Sequence, residues 1–404
     1  MVGFAPFAGH HIRPDFVRRV PAPAFDSMNS EQRTEYLETH PESYALVTRS
    51  PGDGGPEDDA TVQRLIELGG KSFDRILALN AFHGLEAGRP AMFLYRLATE
   101  SRQQVGVVGL VDTADYLSGR VKRHEQVSAE RAVHLSAHFE TLGVQSSPIA
   151  LGYRADPAVR AILDDVLARI EPSLSFTSGD GLEQTVWVVD EPEVTDALTK
   201  AFETHDLYIM DGHHRAAAAG LLYERVGSPR GDKMLGLLFS DDRVNIEPFH
   251  RRVVIPDNRD LSACTTALVE ALDLRPDDSG EHSRPEMDGG IGVYLDGRWW
   301  SGTLPTPVSN SPLDEIDPVR LQREVLGPIL GVEPETATGQ ISYFLDDVDR
   351  QELASRLTDR EVLFVLSPVT PAEVFAVADA GLDMPPKSTY VTPKPRSGVF
   401  LRRF

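Results

Sequence analysis

The fold depends on one stretch, residues 206 to 227, which reads DLYIMDGHHRAAAAGLLYERVG. Its apolar run, Leu207 to Met210, is rich in strand formers and predicts a short buried strand. Asp211 and Gly212 interrupt that run, and the alanines and leucines after them predict a helix. Gly227 stands where such a helix would end. The sequence therefore predicts a strand, a tight turn and a helix.

The first turn of this helix carries His213, His214 and Arg215. A helix start has unpaired N–H groups and the positive end of the helix dipole, so it attracts anions. The guanidinium of Arg215 is a planar fork suited to phosphate, and Gly212 lacks the Cβ that would keep the backbone away from an anion. These features favour a phosphate site over the alternative, a capped helix whose histidines are surface residues.

The sequence DGHHRAAAA resembles the phosphate-binding box of the ParB/sulfiredoxin superfamily, most closely in its free-serine kinases. The resemblance implies that a nucleotide, ATP or ADP, is bound with Mg²⁺ by Asp211, Gly212, His213, His214 and Arg215. For Asp211 the sequence leaves two roles open, helix N-cap or Mg²⁺ ligand, and His214 could instead face the core. Sulfiredoxin chemistry is not expected, because that branch has a cysteine at the position of His213.

A second pattern begins with RHEQ at residues 123 to 126 and continues into a helix predicted from the Ser128 cap. It resembles the first half of the serine-kinase type of ParB-like domain. The resemblance implies that Glu125, beside His124, is the general base that activates the substrate hydroxyl, with Arg123 and Arg131 near the substrate. Without the resemblance, a surface glutamate in a basic patch would be the better interpretation.

The chain as a whole resembles the DUF1015 family, through its proline-rich opening, the DGHHR box and the tail MPPKSTYVTPKPRSGVFLRRF. Two further motifs that match this family, EPFHRR and the tail, contain cationic and hydroxyl groups able to bind a phosphate or a substrate carboxylate. These substrate-binding candidates are His250, Arg251, Lys387, Ser388, Thr389 and Lys394. A structural tail anchored by hydrogen bonds remains the alternative.

We expect an α+β fold with mixed sheets, because strand and helix patterns occur throughout the 404 residues. Three regions are predicted: a mixed α/β region at 1–110, a ParB-like nucleotide-binding core with insertions at 111–260, and a C-terminal α/β region at 261–404. Polar segments rich in Gly and Pro predict loops at 50–60 and 276–290. The GGKS sequence at 69–72 is not a P-loop, since Leu65 stands where that motif needs a glycine.

Composition limits the classes of partner. The net charge of −22 argues against binding to nucleic acid, and no basic run offsets it. The single cysteine, Cys264, excludes an internal disulfide and lies in a helical pattern typical of a core residue. No apolar run approaches the length of a membrane span, so a cytoplasmic protein is expected. Assembly into a homo-oligomer is left open.

The function that these patterns favour is a kinase that uses a nucleotide to phosphorylate the hydroxyl of a small amino acid, free serine or a similar one. The alternative from a different class is a nucleotide-binding regulator or adaptor without small-molecule turnover. A DNA-binding relative of ParB ranks third because of the negative charge.

Overall fold

A computed structural model describes residues 1–24, 27–49, 59–84, 89–277, 289–333, 339–346 and 348–404. The described chain folds into two compact units. The first unit contains Met1–Arg123, Val127–Asn245 and Pro393–Phe404, and the second contains His124–Gln126 and Ile246–Thr392. Two short segments, His124–Gln126 and Pro393–Phe404, each belong to a different unit from the residues just before them in the chain.

This grouping differs from the three regions predicted from the sequence. Residues 1–110 and most of 111–260 lie together in the first unit, whereas Ile246–Thr392 lies in the second. Composition and pattern along the chain placed the predicted boundaries, while the units reflect packing between residues distant in sequence. The division of the chain into three regions therefore stays a prediction.

Helices and strands alternate along both units, which confirms the α+β class. The helices are α1 (Ser30–Thr39), α2 (Asp59–Ala78), α3 (Thr113–Leu117), α4 (Ala129–Leu142), α5 (Pro157–Arg169), α6 (Pro192–Phe202), α7 (His213–Val226), α8 (Leu261–Ala271), α9 (Asp317–Leu321), α10 (Arg350–Ser355) and α11 (Pro371–Asp379). The strands are β1 (Phe4–Ala5), β2 (His10–Ile12), β3 (Phe82–Gly84), β4 (Met92–Ala98), β5 (Gln103–Asp112), β6 (Val121–Lys122), β7 (Val144–Gln145), β8 (Ile149–Tyr153), β9 (Leu174–Thr177), β10 (Glu183–Val189), β11 (Leu207–Asp211), β12 (Lys233–Ser240), β13 (Ile246–Glu247), β14 (His250–Val254), β15 (Arg275–Pro276), β16 (Gly290–Leu295), β17 (Arg298–Thr303), β18 (Ile341–Phe344), β19 (Glu361–Leu366), β20 (Tyr390–Val391) and β21 (Phe400–Arg403).

The main sheet of the first unit has the strand order β6-β11-β8-β12-β5-β4-β10-β9, and β1 pairs with β5. Strands β4 and β5 form an antiparallel hairpin, with Phe93 opposite Val108. Strands β8 and β12 run parallel, while β11 is antiparallel to β8. Apolar side chains of the sheet and of the covering helices, such as Leu151 and Phe202, are fully buried in one cluster. This cluster fixes the strand that leads into the DGHHR box.

The strand–turn–helix prediction for the central stretch is confirmed by β11 and α7, and Gly227 caps the end of α7. The predicted start of α4 is also confirmed. Ser128 accepts the N–H of Arg131 as N-cap, and Gly143 ends the helix with a φ of 63°. Both helices therefore begin and end where local chain chemistry favours it.

The C-terminal tail completes a smaller sheet of the first unit, with the order β3-β2-β21-β7. Within it, β21 pairs with β2 on one side and with β7 on the other. Its residues Phe400 and Leu401 are fully buried. The tail is thus an integral part of the first unit's core.

The second unit is built on a sheet with the order β15-β17-β16-β19-β14-β18, and β13 pairs separately with β20. Strands β16 and β17 form a hairpin, with left-handed backbone at Asp296 and Gly297 in its turn. Cys264 is buried in the core of this unit, as predicted. Helix α9 continues as a π-helical segment, Gln322–Leu330, whose wider turn accommodates Pro328.

Two of the predicted loops fall largely outside the described residues, since the structure does not describe 50–58 or 278–288. Among the described residues, no helix has both the length and the apolar character needed to cross a membrane.

Candidate functional site

The candidate site lies at the end of β11. Asp211 is the last residue of that strand, and the register with β8 shifts between Ile209 and Asp211. Irregularities of this kind redirect a side chain relative to the regular pleat, and they are frequent next to functional sites. The bulge therefore sets the direction in which the Asp211 carboxylate leaves the sheet.

Gly212, and not Asp211, is the N-cap of α7, so the N-cap role predicted as one option for Asp211 is wrong. Gly212 has a φ of 102°, a backbone conformation that residues with a Cβ rarely adopt. A Cβ at this position would also lie 2.8 Å from the guanidinium of Arg215. Both the backbone angle and the close side chain explain why a glycine stands here.

The Asp211 carboxylate holds two cations, one on each oxygen. Its Oδ1 accepts a hydrogen bond from Lys394 Nζ at 2.7 Å, and its Oδ2 accepts one from Arg215. Arg215 also donates from Nη1 to the carbonyl of Pro148 at 2.5 Å. The side chains of Lys394, Asp211 and Arg215 are 8%, 20% and 21% exposed. We call these three residues the Asp211 cluster.

Electrostatics in the cluster favour the charged carboxylate. Burial acts to raise the pKa of Asp211, but the charges of Lys394 and Arg215, with the Lys394 hydrogen bond, outweigh it. The net result is a pKa well below the usual range for an aspartate. Asp211 is therefore ionised throughout the neutral range and keeps both cations in place.

The two histidines of the box lie in different surroundings. His213 is buried, whereas His214 is partly exposed, so of the two alternatives left open for His214 the core position is not the one observed. His214 Nε2 accepts the backbone N–H of Ser128 at 3.1 Å. Since Ser128 is the N-cap of α4, His214 ties the start of α4 to the first turn of α7.

Asp211 was also predicted as a possible ligand of Mg²⁺. Each carboxylate oxygen accepts a hydrogen bond from a cation, so a metal ion bound to Asp211 would lie beside the positive charges of Lys394 and Arg215 and be repelled by them. Among the described residues, no group of three or more His, Cys, Asp or Glu side chains is arranged to hold a metal. The Mg²⁺ role of Asp211 therefore stays a prediction.

The RHEQ segment spans both units, since Arg123 ends a segment of the first and His124 to Gln126 belong to the second. His124 is buried, and its carbonyl accepts the N–H of Met384 at 2.7 Å. Glu125 is partly buried, while Arg123 and Arg131 are exposed. Their predicted roles in catalysis and substrate binding stay predictions.

The EPFHRR motif lies in the second unit, and its His250 and Arg251 are buried there. His250 is fully buried, accepts the N–H of Leu366 at Nδ1, and contacts Asp346 through Nε2 at 2.7 Å. A nitrogen that accepts a main-chain N–H carries no proton, so Nε2–H is the donor to Asp346. Arg251 is also buried, and its Nη1 donates to the carbonyl of Phe249 at 2.6 Å.

The tail motif is divided between the units, with Lys387, Ser388 and Thr389 in the second and Lys394 in the first. Lys387 is exposed, and its ammonium lies 4.8 Å from the ring centroid of Phe249. Ser388 is buried and donates to the carbonyl of Pro385 at 2.7 Å, while Thr389 is partly buried. Within the first unit, Lys394 is the tail candidate that joins the DGHHR box.

Two features of the site were not predicted from the sequence. Lys394 was predicted as a substrate-binding residue with no assigned partner, and no partner was predicted for Arg215 in the carbonyl of Pro148. Asp211 and Lys394 are 183 residues apart, so no local pattern joins them. Pro148 immediately precedes β8, and the pairing of β8 with β11 that brings it to the box is not visible in the local sequence pattern.

The sequence matches, over residues 4–322, a family model described as a protein of unknown function, DUF1015. The chain belongs to the DUF1015 family. We found no match for this DUF1015 protein among curated proteins.

Several solved structures are distantly similar to this DUF1015 chain. SbnI from Staphylococcus aureus, truncated at its C-terminus, is 12% identical, with a TM-score of 0.37 over 72% of this chain and 85% of that one. A variant of a free serine kinase in complex with AMP is 14% identical, with a TM-score of 0.36 over 72% of this chain and 90% of that one. A second kinase variant, in complex with ADP, gives the same values. Similarity at this level carries no conclusion about what the DUF1015 chain binds or catalyses.

Proposed function

We propose that this DUF1015 protein is a nucleotide-dependent kinase that phosphorylates the hydroxyl of a small amino acid, most simply free serine. The observation that carries the proposal is the Asp211 cluster at the start of α7. It holds Lys394 and Arg215 beside a helix of 14 residues whose N-cap is a glycine with no side-chain cap.

The cluster has the properties of a phosphate site. Two largely buried cations and a helix N-terminus combine charge with fixed donor groups. A charge-assisted hydrogen bond to phosphate contributes about 1.5–3 kcal/mol, roughly twice a neutral one. Because the whole chain carries a net charge of −22, a local positive site is needed to attract a nucleotide at all. Asp211 orients both cations before the anion arrives.

Glu125 is the proposed general base of the reaction. Its carboxylate would take the proton of the substrate hydroxyl, which leaves the hydroxyl oxygen able to attack phosphorus. Ser128, whose N–H is bonded to His214 of the box, follows Glu125 by three residues. Chain length alone therefore keeps the Cα atom of Glu125 within about 11 Å of that of Ser128. The resemblance to the free-serine kinases implies the same role for this glutamate.

The nucleotide, ATP or ADP with its Mg²⁺, would supply the phosphoryl group when bound. Arg215, Lys394 and the first turn of α7 are the groups proposed to hold its phosphates. Since both Asp211 oxygens are engaged by cations, we propose that Mg²⁺ arrives with the nucleotide and we assign it no protein ligand. Arg123 and Arg131, which are exposed, are proposed to attract the carboxylate of the amino acid.

The test is turnover with a panel of hydroxy-amino acids. Purified protein is incubated with ATP or ADP, Mg²⁺ and each amino acid, and ³¹P NMR follows the appearance of a phosphomonoester. We expect at least one amino acid, serine first, to yield the product. If no amino acid yields one while calorimetry still shows tight nucleotide binding, the kinase proposal is wrong and the regulatory alternative takes its place.

A further inference from the structure

A cationic cavity lies in the first unit, and none of the residues that line it belongs to the DGHHR box. Its volume is about 340 Å³, and it is lined by Arg49, Leu68, Lys71, Ser72 and Arg75. Ligand pockets in proteins run from roughly 300 to 1,000 Å³, so this cavity suits a small ligand. Three of its lining side chains are cationic and none is acidic, on a chain whose net charge is −22.

The helix α2 supplies one wall of this cavity. Lys71 and Arg75 are four residues apart, as are Leu68 and Ser72, so these side chains lie along one face of the helix. Lys71 and Arg75 are exposed, whereas Ser72 is buried. The GGKS sequence that was excluded as a P-loop therefore contributes a lysine and a serine to a different kind of cationic site.

Gly69 explains how Arg49 reaches this face. A Cβ at Gly69 would lie 2.5 Å from the carbonyl oxygen of Val47, so only a glycine lets that segment pack directly on the helix. His138 donates from Nε2 to the same carbonyl at 2.8 Å, which holds the segment in place. The close approach carries Arg49, two residues later, to the cavity beside Lys71.

The side chains that line the cavity have hydrogen-bond donors available to an anion. Among the described residues, Arg49 Nε is buried without a hydrogen-bond partner. Arg75 Nη2 donates to Ser72 Oγ at 2.9 Å, and the hydroxyl of Ser72 keeps its own proton to donate.

We propose that this cavity binds a small phosphate-bearing anion, inorganic phosphate or a phosphomonoester. Three like charges around one cavity repel each other, and an anion among them removes that repulsion. The cavity offers guanidinium groups from two sides, an ammonium and a hydroxyl. These groups match the several oxygens of a tetrahedral phosphate better than they match the two oxygens of a single carboxylate. The site is separate from the DGHHR box and does not depend on the kinase proposal.

The experiment uses the full chain in an Arg215→Ala background, which removes a phosphate contact of the DGHHR box. Inorganic phosphate and glycerol phosphate are titrated separately by calorimetry at low ionic strength, which distinguishes free phosphate from an organic phosphomonoester. Lys71→Glu is the test variant, and Lys71→Gln is a second variant without charge reversal. Arg64→Ala removes one exposed charge from the same helix outside the cavity and is the matched control.

We expect at least one of the two anions to bind, with affinity reduced at least tenfold by Lys71→Glu and about three- to tenfold by Lys71→Gln. Arg64→Ala should stay within twofold of the background, because long-range effects of an exposed charge are screened by salt. Absence of binding by both anions would overturn the proposal, as would equal losses in Lys71→Glu and Arg64→Ala. Circular dichroism establishes that each variant is folded.

Discussion

Two clusters in this protein are built from the same kind of ion pair. In the first unit Asp211 pairs with Arg215, and in the second unit Asp346 pairs with Arg350, each arginine four residues after its aspartate. Each aspartate also has a second partner, Lys394 for Asp211 and the imidazole of His250 for Asp346. The chemistry is alike, but the surroundings differ.

The difference lies in what each cluster leaves accessible. The arginine of the Asp211 cluster is on the first turn of a helix of 14 residues that no side chain caps. Arg350 begins α10, a helix of 6 residues whose first N–H groups are bonded to the side chain of Asp349. His250 is fully buried, and both of its ring nitrogens have partners. We infer that the Asp346 cluster serves the stability of its unit, whereas the Asp211 cluster is available to an anion.

The largest expected effect is on catalysis. Glu125→Gln keeps the size of the side chain but removes the basic carboxylate, so turnover should fall by roughly 10²–10⁴-fold, the usual contribution of a general base. Nucleotide affinity should change little, because the Asp211 cluster is intact. Product formation by ³¹P NMR and nucleotide titration by calorimetry measure both quantities, with Glu130→Gln as an exposed control on the first turn of α4. Normal turnover in Glu125→Gln would rule out the base assignment.

The next effect is on nucleotide affinity and compares two lysines of the same tail. Lys394→Met removes a charge-assisted contact worth about 1.5–3 kcal/mol, so affinity should fall by roughly 10- to 100-fold. Lys387→Met is the matched control, since that lysine is exposed and packs over the Phe249 ring. Its affinity should stay within about twofold of the wild type. Equal losses in the two variants would show that the tail acts through its overall charge.

The smallest effect concerns stability and its dependence on pH. The folded pKa of Asp211 is lower than the unfolded value of about 3.9, so its pairing stabilises the fold above that value and is lost as the pH falls toward the folded pKa. Asp211→Asn should therefore be less stable than the wild type by about 1–3 kcal/mol at pH 7, because two cations lose their partner. The gap should narrow as the pH falls below about 5. Urea denaturation at pH 7, 5, 4 and 3 tests this, and a gap that widens on acidification would contradict it.

Local chemistry made the elements around the site predictable. Ser128 and Gly143 bound α4, and Gly227 ends α7, because caps and left-handed glycines act within a few residues. The choice between Asp211 and Gly212 as N-cap was not predictable in the same way. Both residue types occur at N-caps, and the outcome depends on the bulge in β11 and on the φ of Gly212.

Long-range pairings could not be predicted from local pattern. Lys394 reaches Asp211 because the tail joins the first unit through β21, a pairing between distant parts of the chain. Only the resemblance of the tail to its family pointed to that lysine. The cationic cavity was not predictable for the same reason. Arg49 and Lys71 line one cavity because Val47 packs directly on Gly69.

The most direct test of the DGHHR box as the nucleotide site compares Arg215 with Arg350. ATP and ADP are titrated by calorimetry into the wild type, Arg215→Ala and Arg350→Ala, below the melting temperature of each. We predict that Arg215→Ala weakens nucleotide binding at least tenfold, whereas Arg350→Ala lowers the melting temperature but leaves affinity within about twofold. Unchanged affinity in Arg215→Ala, or an equal loss in Arg350→Ala, would contradict the assignment of the DGHHR box as the nucleotide site.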